Sequence, residues 1–145
     1  MKINNDLERI GDLACNIAKR AKDMARLPEA LVPKDLREMA RKAQTMLRLC
    51  MDAYINHDPG LANRVCDMDD EVDDINRVVK DKVEKAIRES PDAIKPLLRI
   101  FSVARYLERI ADLTTNIGED VIYMLEGEIV RHKPPRTSET APGET

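Results

Sequence analysis

Two pairs of carboxylates occupy the same place in two copies of one sequence phrase. Residues 7–13 read LERIGDL, and residues 107–113, one hundred positions later, read LERIADL. Each copy holds a glutamate and an aspartate four residues apart: Glu8 with Asp12, and Glu108 with Asp112. Because residues i and i+4 are neighbours on a helix, both carboxylates of a pair can reach one ion. Such oxygen donors suit magnesium, manganese or iron better than a metal that prefers thiolates.

A third acidic segment lies between the two copies. Residues 67–74 contain six carboxylates, and helical spacing places Asp69 and Asp73 together on one flank of an apolar stripe, with Asn76 nearby. So many like charges within two turns repel one another, and a bound cation would relieve that repulsion. A solvated acidic helix face has the same pattern. From the residues alone, metal binding and a solvated surface both stay open, and the duplication favours metal.

Four helices must position these groups. Apolar residues at steps of three and four predict helices over about 3–26, through the segment that ends near 56–57, over 59–89, and from Ser90-Pro91 onward. Short links between long helices predict an all-α, antiparallel four-helix bundle over residues 1–133, and the apolar-poor segment 134–145 reads as a disordered tail. Both Glu-x-x-x-Asp pairs are predicted on outer faces. The stripe predicted to be buried on the first helix is Ile3, Leu7, Ile10, Ala14, Ile17, Ala21 and Met24.

Composition excludes several classes of protein. The 145 residues are 43% hydrophobic and 35% charged, with no Trp and a net charge of −3, which suits amphipathic helices and gives no electrostatic case for nucleic-acid binding. No apolar run approaches the roughly 20 residues that cross a bilayer, and no secretory signal is visible. Three scattered cysteines without such a signal predict reduced thiols in the cytoplasm.

The paired motifs and the acidic segment resemble the PhoU family of regulators of phosphate transport and the phosphate regulon. The similarity covers about residues 3–133. Its motifs are residues 5–12 with 16–18, the MDDEVD phrase at 68–73, residues 106–112 with 116–117, and the ending GEIVRHK at 127–133. The resemblance implies tandem three-helix bundles in the cytoplasm that carry metal clusters. It also implies that the protein restrains a phosphate-transporter ATPase and a phosphate-sensing histidine kinase, and meets the membrane only through such partners. The metal ligands implied are Glu8, Asp12, Asp69, Asp73, Glu108 and Asp112, and the ion expected is iron, zinc, manganese or magnesium.

By that resemblance the chain holds the last helix of one repeat and the whole of a second. The apolar stripe of the first helix then lacks two partner helices, so we expect it to pack on the later helices or, in a homodimer, on a second chain. A structural bundle with a truncated, non-functional metal site is the alternative to a regulator. A ferritin-like di-iron enzyme needs Glu-x-x-His pairs, and neither His57 nor His132 follows a glutamate by three residues. We therefore expect no enzymatic activity.

Overall fold

The computed structural model describes residues 2–27 and 32–132, with side chains through residue 128. Its helices are α1 (Lys2–Met24), α2 (Lys34–Asn56), α3 (Pro59–Glu89) and α4 (Ile94–His132), and a short 3-10 helix covers Pro91–Ala93. The described residues form no strand. The all-α prediction is confirmed. The predicted tail over residues 134–145 and the middle of the first linker, residues 28–31, lie outside the described residues.

Local capping explains where α3 begins. The Asp58 side chain accepts hydrogen bonds from the backbone N–H groups of Gly60, at 2.8 Å, and Leu61, at 3.2 Å. Pro59 occupies the first helical position, where a missing N–H removes no helical hydrogen bond. Ser90-Pro91 has the same pattern of residue types, but the Ser90 side chain makes no cap hydrogen bond, and the 3-10 turn precedes α4.

Helices α2, α3 and α4 pack against one another as a three-helix bundle, whereas α1 packs on α4. The bundle core is built from apolar side chains that are almost completely buried, among them Met39, Met46, Leu97, Ile100 and Ile117. Helix α4 therefore serves two layers, since it closes the bundle on one side and carries α1 on another. The architecture is one complete three-helix repeat with one extra helix, as the sequence predicts.

Helices α1 and α4 run antiparallel along almost the whole of α1. Lys2 Nζ lies 3.4 Å from Asp120 Oδ1 at one end, and Arg99 Nε lies 3.9 Å from Asp23 Oδ2 at the other. This register brings residue 11 opposite residue 111, which is also its counterpart in the sequence repeat. The two helices are therefore related by an approximate two-fold axis that passes near these positions.

The buried face of α1 differs from the predicted stripe. Ile3, Asp6 and Ile10 are buried against the rest of the chain, but Ala14 and Ala21 are exposed. The repeat shows the difference between the two helices, because five exposed or half-buried positions on this side of α1 correspond to positions of α4 that are buried. These pairs are Leu7 with Leu107, Gly11 with Ala111, Ala14 with Thr114, Ala18 with Gly118, and Ala21 with Val121.

In α4 that face packs closely on α3. A Cβ atom built on Gly118 would lie 3.2 Å from the carbonyl oxygen of Ala62 on α3, so the glycine permits the two backbones to approach. On α1 the corresponding face, which we call the open face, has no such neighbour, and a Cβ built on Gly11 would meet nothing within 4 Å.

Candidate metal centre

Three of the predicted carboxylates converge where α3 crosses α4. Asp69 and Asp73 lie one turn apart on α3, and Asp112 lies opposite them on α4. One oxygen from each side chain can be chosen so that all three lie within 4.8 Å of one another. Oxygen ligands bind magnesium or calcium at about 2.0–2.6 Å, so donors on opposite sides of one ion are up to about 5 Å apart. The three oxygens therefore have the spacing that a single cation requires.

The electrostatics of this cluster disfavour three free negative charges. Burial, followed by the charges of Asp69, Asp73 and Glu108, raises the pKa of Asp112 to about 6. Burial and the Asp73 carboxylate also raise the pKa of Asp69, although a hydrogen bond to Thr115 opposes the rise. The Asp69 Oδ1 atom is buried and has no hydrogen-bond partner. An unpaired buried oxygen beside like charges fits a cation, which would satisfy the oxygen and offset the repulsion.

Glu108 approaches the cluster from α4, one turn before Asp112. Its Oε2 atom accepts a hydrogen bond of 2.8 Å from Asn76 Nδ2 on α3, and the glutamate is half-buried. The prediction of an outer face holds for Asp112, which is exposed, but is wrong for Glu108, which is half-buried against α3. The prediction assumed a single buried stripe, but α4 contacts three helices, so a direction away from that stripe still faces α3. Asp69 and Asp73 do lie beside the stripe, as predicted.

Two residues of the site, Asn76 and Thr115, belong to no sequence motif that predicts a functional role. The sequence pattern places Asn76 near the acidic segment without assigning it a role, and it gives no signal for Thr115. Asn76 lies seven residues after Asp69 and three after Asp73, which places all three on one face of α3. A polar residue that interrupts a valine stripe, as Asn76 does between Val72 and Val79, is the sequence signal that could have identified it.

The first-repeat pair has different surroundings. Glu8 and Asp12 are both exposed on α1, and neither joins the Asp69, Asp73 and Asp112 group. Within the described part of the chain, no other set of three acidic, histidine or cysteine side chains comes together in this way. The structure therefore separates the six predicted ligands into a cluster on α3 and α4 and an isolated pair on α1.

A cleft of about 550 Å³ between α1 and α4 brings Asp12 and Asp112 to the same surface. Its walls contain both members of three repeat pairs, as the approximate two-fold axis requires. The lining residues are Arg9, Asp12, Leu13, Arg109, Asp112, Leu113 and Asn116. Asp112 thus borders the cleft on one side and the carboxylate cluster on the other.

The thiols offer no comparable centre. Cys15, Cys50 and Cys66 are all free. Burial raises the pKa of Cys50 to about 11, and burial together with the nearby carboxylates raises the pKa of Cys66. Because the thiolate is the form that binds metal, these two cysteines are poor ligands near neutral pH.

Comparison with known proteins places this geometry in a family. The family model described as the PhoU domain matches residues 36–121. A protein from Clostridium acetobutylicum, named a phosphate-specific transport system accessory protein PhoU homolog, is 34% identical over 130 residues, which are 90% of this chain and 59% of that protein. A protein of the same name from Aquifex aeolicus is 37% identical over 132 residues, 91% of this chain and 60% of that protein.

A solved structure agrees with the sequence comparison. The crystal structure of PhoU from Pseudomonas aeruginosa superposes with a TM-score of 0.80 at 35% identity, covering 87% of this chain and 61% of that one. The chain spans about three fifths of the length of these relatives. The domain match covers more than half of the chain, and the similarity extends over both copies of the repeat. The chain belongs to the PhoU family.

Proposed function

We propose that this chain is a metal-binding regulator of phosphate uptake and of phosphate-regulon signalling. The observation that carries the proposal is the carboxylate cluster across α3 and α4, in which Asp69, Asp73 and Asp112 offer oxygens within 4.8 Å of one another. Glu108, one turn from Asp112, supplies a fourth carboxylate. An all-oxygen donor set selects iron, manganese or magnesium, and zinc also accepts carboxylate ligands.

The regulatory part of the proposal is inferred from the names of the relatives. They are called accessory proteins of phosphate-specific transport systems. We infer that this chain acts in the cytoplasm as a negative regulator in phosphate homeostasis. Its partners would be the transporter ATPase and a phosphate-sensing histidine kinase, and the bundle would bind them rather than catalyse a reaction. We infer that it reaches the membrane through these partners. In the part of the chain that the structure describes, no helix has an apolar stretch that could span a bilayer.

A second copy of the chain is the occupant we propose for the open face of α1. In α4 the equivalent face is covered by other helices of the bundle, and the same small and apolar residue types recur on α1. Burying apolar side chains of this size releases on the order of 25 cal/mol for each Å² removed from water. A homodimer that pairs the two open faces would cover both at once.

The alternative function is a structural bundle with a truncated, non-functional site, and one observation favours it for two of the six predicted ligands. Glu8 and Asp12 have no third acidic partner among the described residues, so we expect weak binding at that pair. The repeat provides a matched test, because the same two substitutions can be made in each copy.

The experiment compares two double variants. One combines Glu108→Ala and Asp112→Ala, and the other combines Glu8→Ala and Asp12→Ala. Protein purified from rich medium is analysed for iron, zinc and manganese before and after chelation. We expect the Glu108/Asp112 double variant to lose most of its metal while keeping its helical circular dichroism, and the Glu8/Asp12 variant to keep most of it. Full metal content in the first variant would refute the proposed centre, and metal-free wild-type protein would favour the structural alternative.

A further inference from the structure

Asn76 is a buried amide at a position that belongs to the apolar stripe of α3. The buried stripe of α3 runs through Val65, Val72, Val79 and Val83, and Asn76 continues it at the same helical spacing. Its exposed fraction is 3%, as low as that of these valines or nearly so. Its Oδ1 atom is buried and accepts no hydrogen bond within the described structure. Such an oxygen destabilises the fold, so packing does not explain the choice of asparagine.

The other end of the amide has a specific partner. Asn76 Nδ2 donates to Glu108 Oε2 at 2.8 Å, across the interface between α3 and α4. A hydrogen bond to a charged acceptor is stronger than one between neutral groups. Since Nδ2 engages one carboxylate oxygen, Oε1 of Glu108 remains free of this bond.

Without that bond Glu108 would have reason to move away. A glutamate side chain loses substantial rotamer freedom when it is held in one place. Glu108 also lies near other carboxylates, since its charge is among those that act on Asp112. Repulsion and entropy both favour a Glu108 that points to solvent, and the amide of Asn76 opposes both.

We propose that Asn76 is a positioning residue that holds Glu108 beside the carboxylate cluster, ready to act as a fourth ligand of the cation. The inference rests on the metal-binding function proposed above. It assigns a role to a residue that would not itself touch the ion, and it explains why a polar group with an unpaired oxygen occupies the core of the bundle.

The test is a double-mutant cycle that uses manganese as the probe. The dissociation constant for Mn²⁺ is measured by electron paramagnetic resonance for wild type, Asn76→Leu, Glu108→Ala and the double variant. Leucine keeps the branched shape of asparagine and removes both polar atoms. Loss of a residue that orients a metal ligand weakens binding by about 10- to 100-fold. We expect such a loss for Asn76→Leu in the wild-type background and none in the Glu108→Ala background.

A second readout separates positioning from folding. Because Asn76→Leu removes an unpaired buried oxygen, the metal-free variant should melt at or above the wild-type temperature although it binds manganese less well. Asn63→Leu, at an exposed position of the same helix, is the matched control and should leave the dissociation constant unchanged.

Each result decides between clear outcomes. Equal losses in the two backgrounds would show that Asn76 acts on the ion directly or by distorting the bundle, and would overturn the inference. Unchanged affinity in Asn76→Leu would also overturn it. Wild-type protein that binds no manganese would refute the metal centre itself, and this is seen in the first titration, before any variant is compared.

Discussion

Replacing Asp112 with asparagine should have opposite effects on the metal-free and the metal-loaded protein. The pKa of Asp112 is about 6, compared with an ordinary value of 3.8. A difference of roughly two units corresponds to about 3 kcal/mol at most, at 1.36 kcal/mol for each unit. Asp112 is exposed to solvent, which screens this repulsion. We therefore expect the charged side chain to destabilise the fold by about 1 kcal/mol.

The sign follows from the direction of the shift. A folded-state pKa above the unfolded value means that folding favours the protonated form of Asp112. The stability that this protonation contributes is fully present below about pH 4 and is lost as the pH rises through 6. At pH 7.5 the wild-type carboxylate is charged and repelled by its neighbours, whereas the asparagine of Asp112→Asn is neutral. The variant should therefore be more stable than wild type by about 1 kcal/mol at pH 7.5, by roughly half as much at pH 5, and by almost nothing below about pH 4.

Urea unfolding in a chelating buffer at the two pH values measures this difference. Asp12→Asn is the matched control from the first repeat. Because Asp12 is outside the carboxylate group, this substitution should leave the free energy of unfolding in chelator close to that of wild type. With manganese at about 100 times its dissociation constant, wild type should gain about 2.7 kcal/mol and Asp112→Asn much less. A variant that is less stable than wild type in chelator at pH 7.5 would refute the electrostatic reasoning.

Three further predictions test the packing. Ile110 is buried, so Ile110→Asp should cost several kcal/mol and abolish the cooperative thermal transition followed by circular dichroism; a normal transition would contradict the assigned helical phase. Gly118→Val should lower the free energy of unfolding in urea by about 1–3 kcal/mol, because the Ala62 backbone leaves no room for the larger side chain. The matched substitution in the first repeat, Ala18→Val, should change the stability little, because Ala18 is exposed. Equal effects of the two substitutions would show that the open face is covered within the chain. Sedimentation velocity over a wide concentration range should show a homodimer, and a folded monomer throughout would rule out pairing of the open faces.

Sequence periodicity predicted the helices well because each has a strong local signal. The cap-then-proline phrase Asp58-Pro59 marks the start of α3, and its predicted end at Glu89 agrees with the structure. The predicted start of α4 at Pro91 was early by one 3-10 turn, since the first residues after a proline can form either kind of turn without changing the pattern.

The buried face of α1 could not be predicted because the helix carries two neighbouring apolar stripes. One contains Ile3 and Ile10 and packs on α4; the other contains Ala14 and Ala21 and is exposed. Both obey the same helical period, and which of them is covered depends on the helices that are present rather than on α1 itself.

The candidate site was predictable in its parts but not in its assembly. Spacing within α3 places Asp69 beside Asp73, and spacing within α4 places Glu108 beside Asp112. The register between the two helices is a tertiary property that no local pattern contains. That register brings Asp112 against Asp69 and pairs Asn76 with Glu108, and it leaves the equivalent carboxylates of α1 alone.

The shared position of Asp112 has a consequence for how events on the surface reach the interior. Its carboxylate borders both the cleft with α1 and the cluster with α3, so a cation bound on one side alters the charge presented on the other. Thermodynamic linkage makes that influence mutual: whatever a cation does to the affinity of a molecule in the cleft, that molecule does to the affinity for the cation. A cation in the cluster and a molecule in the cleft would thus be coupled through one side chain that belongs to both sites.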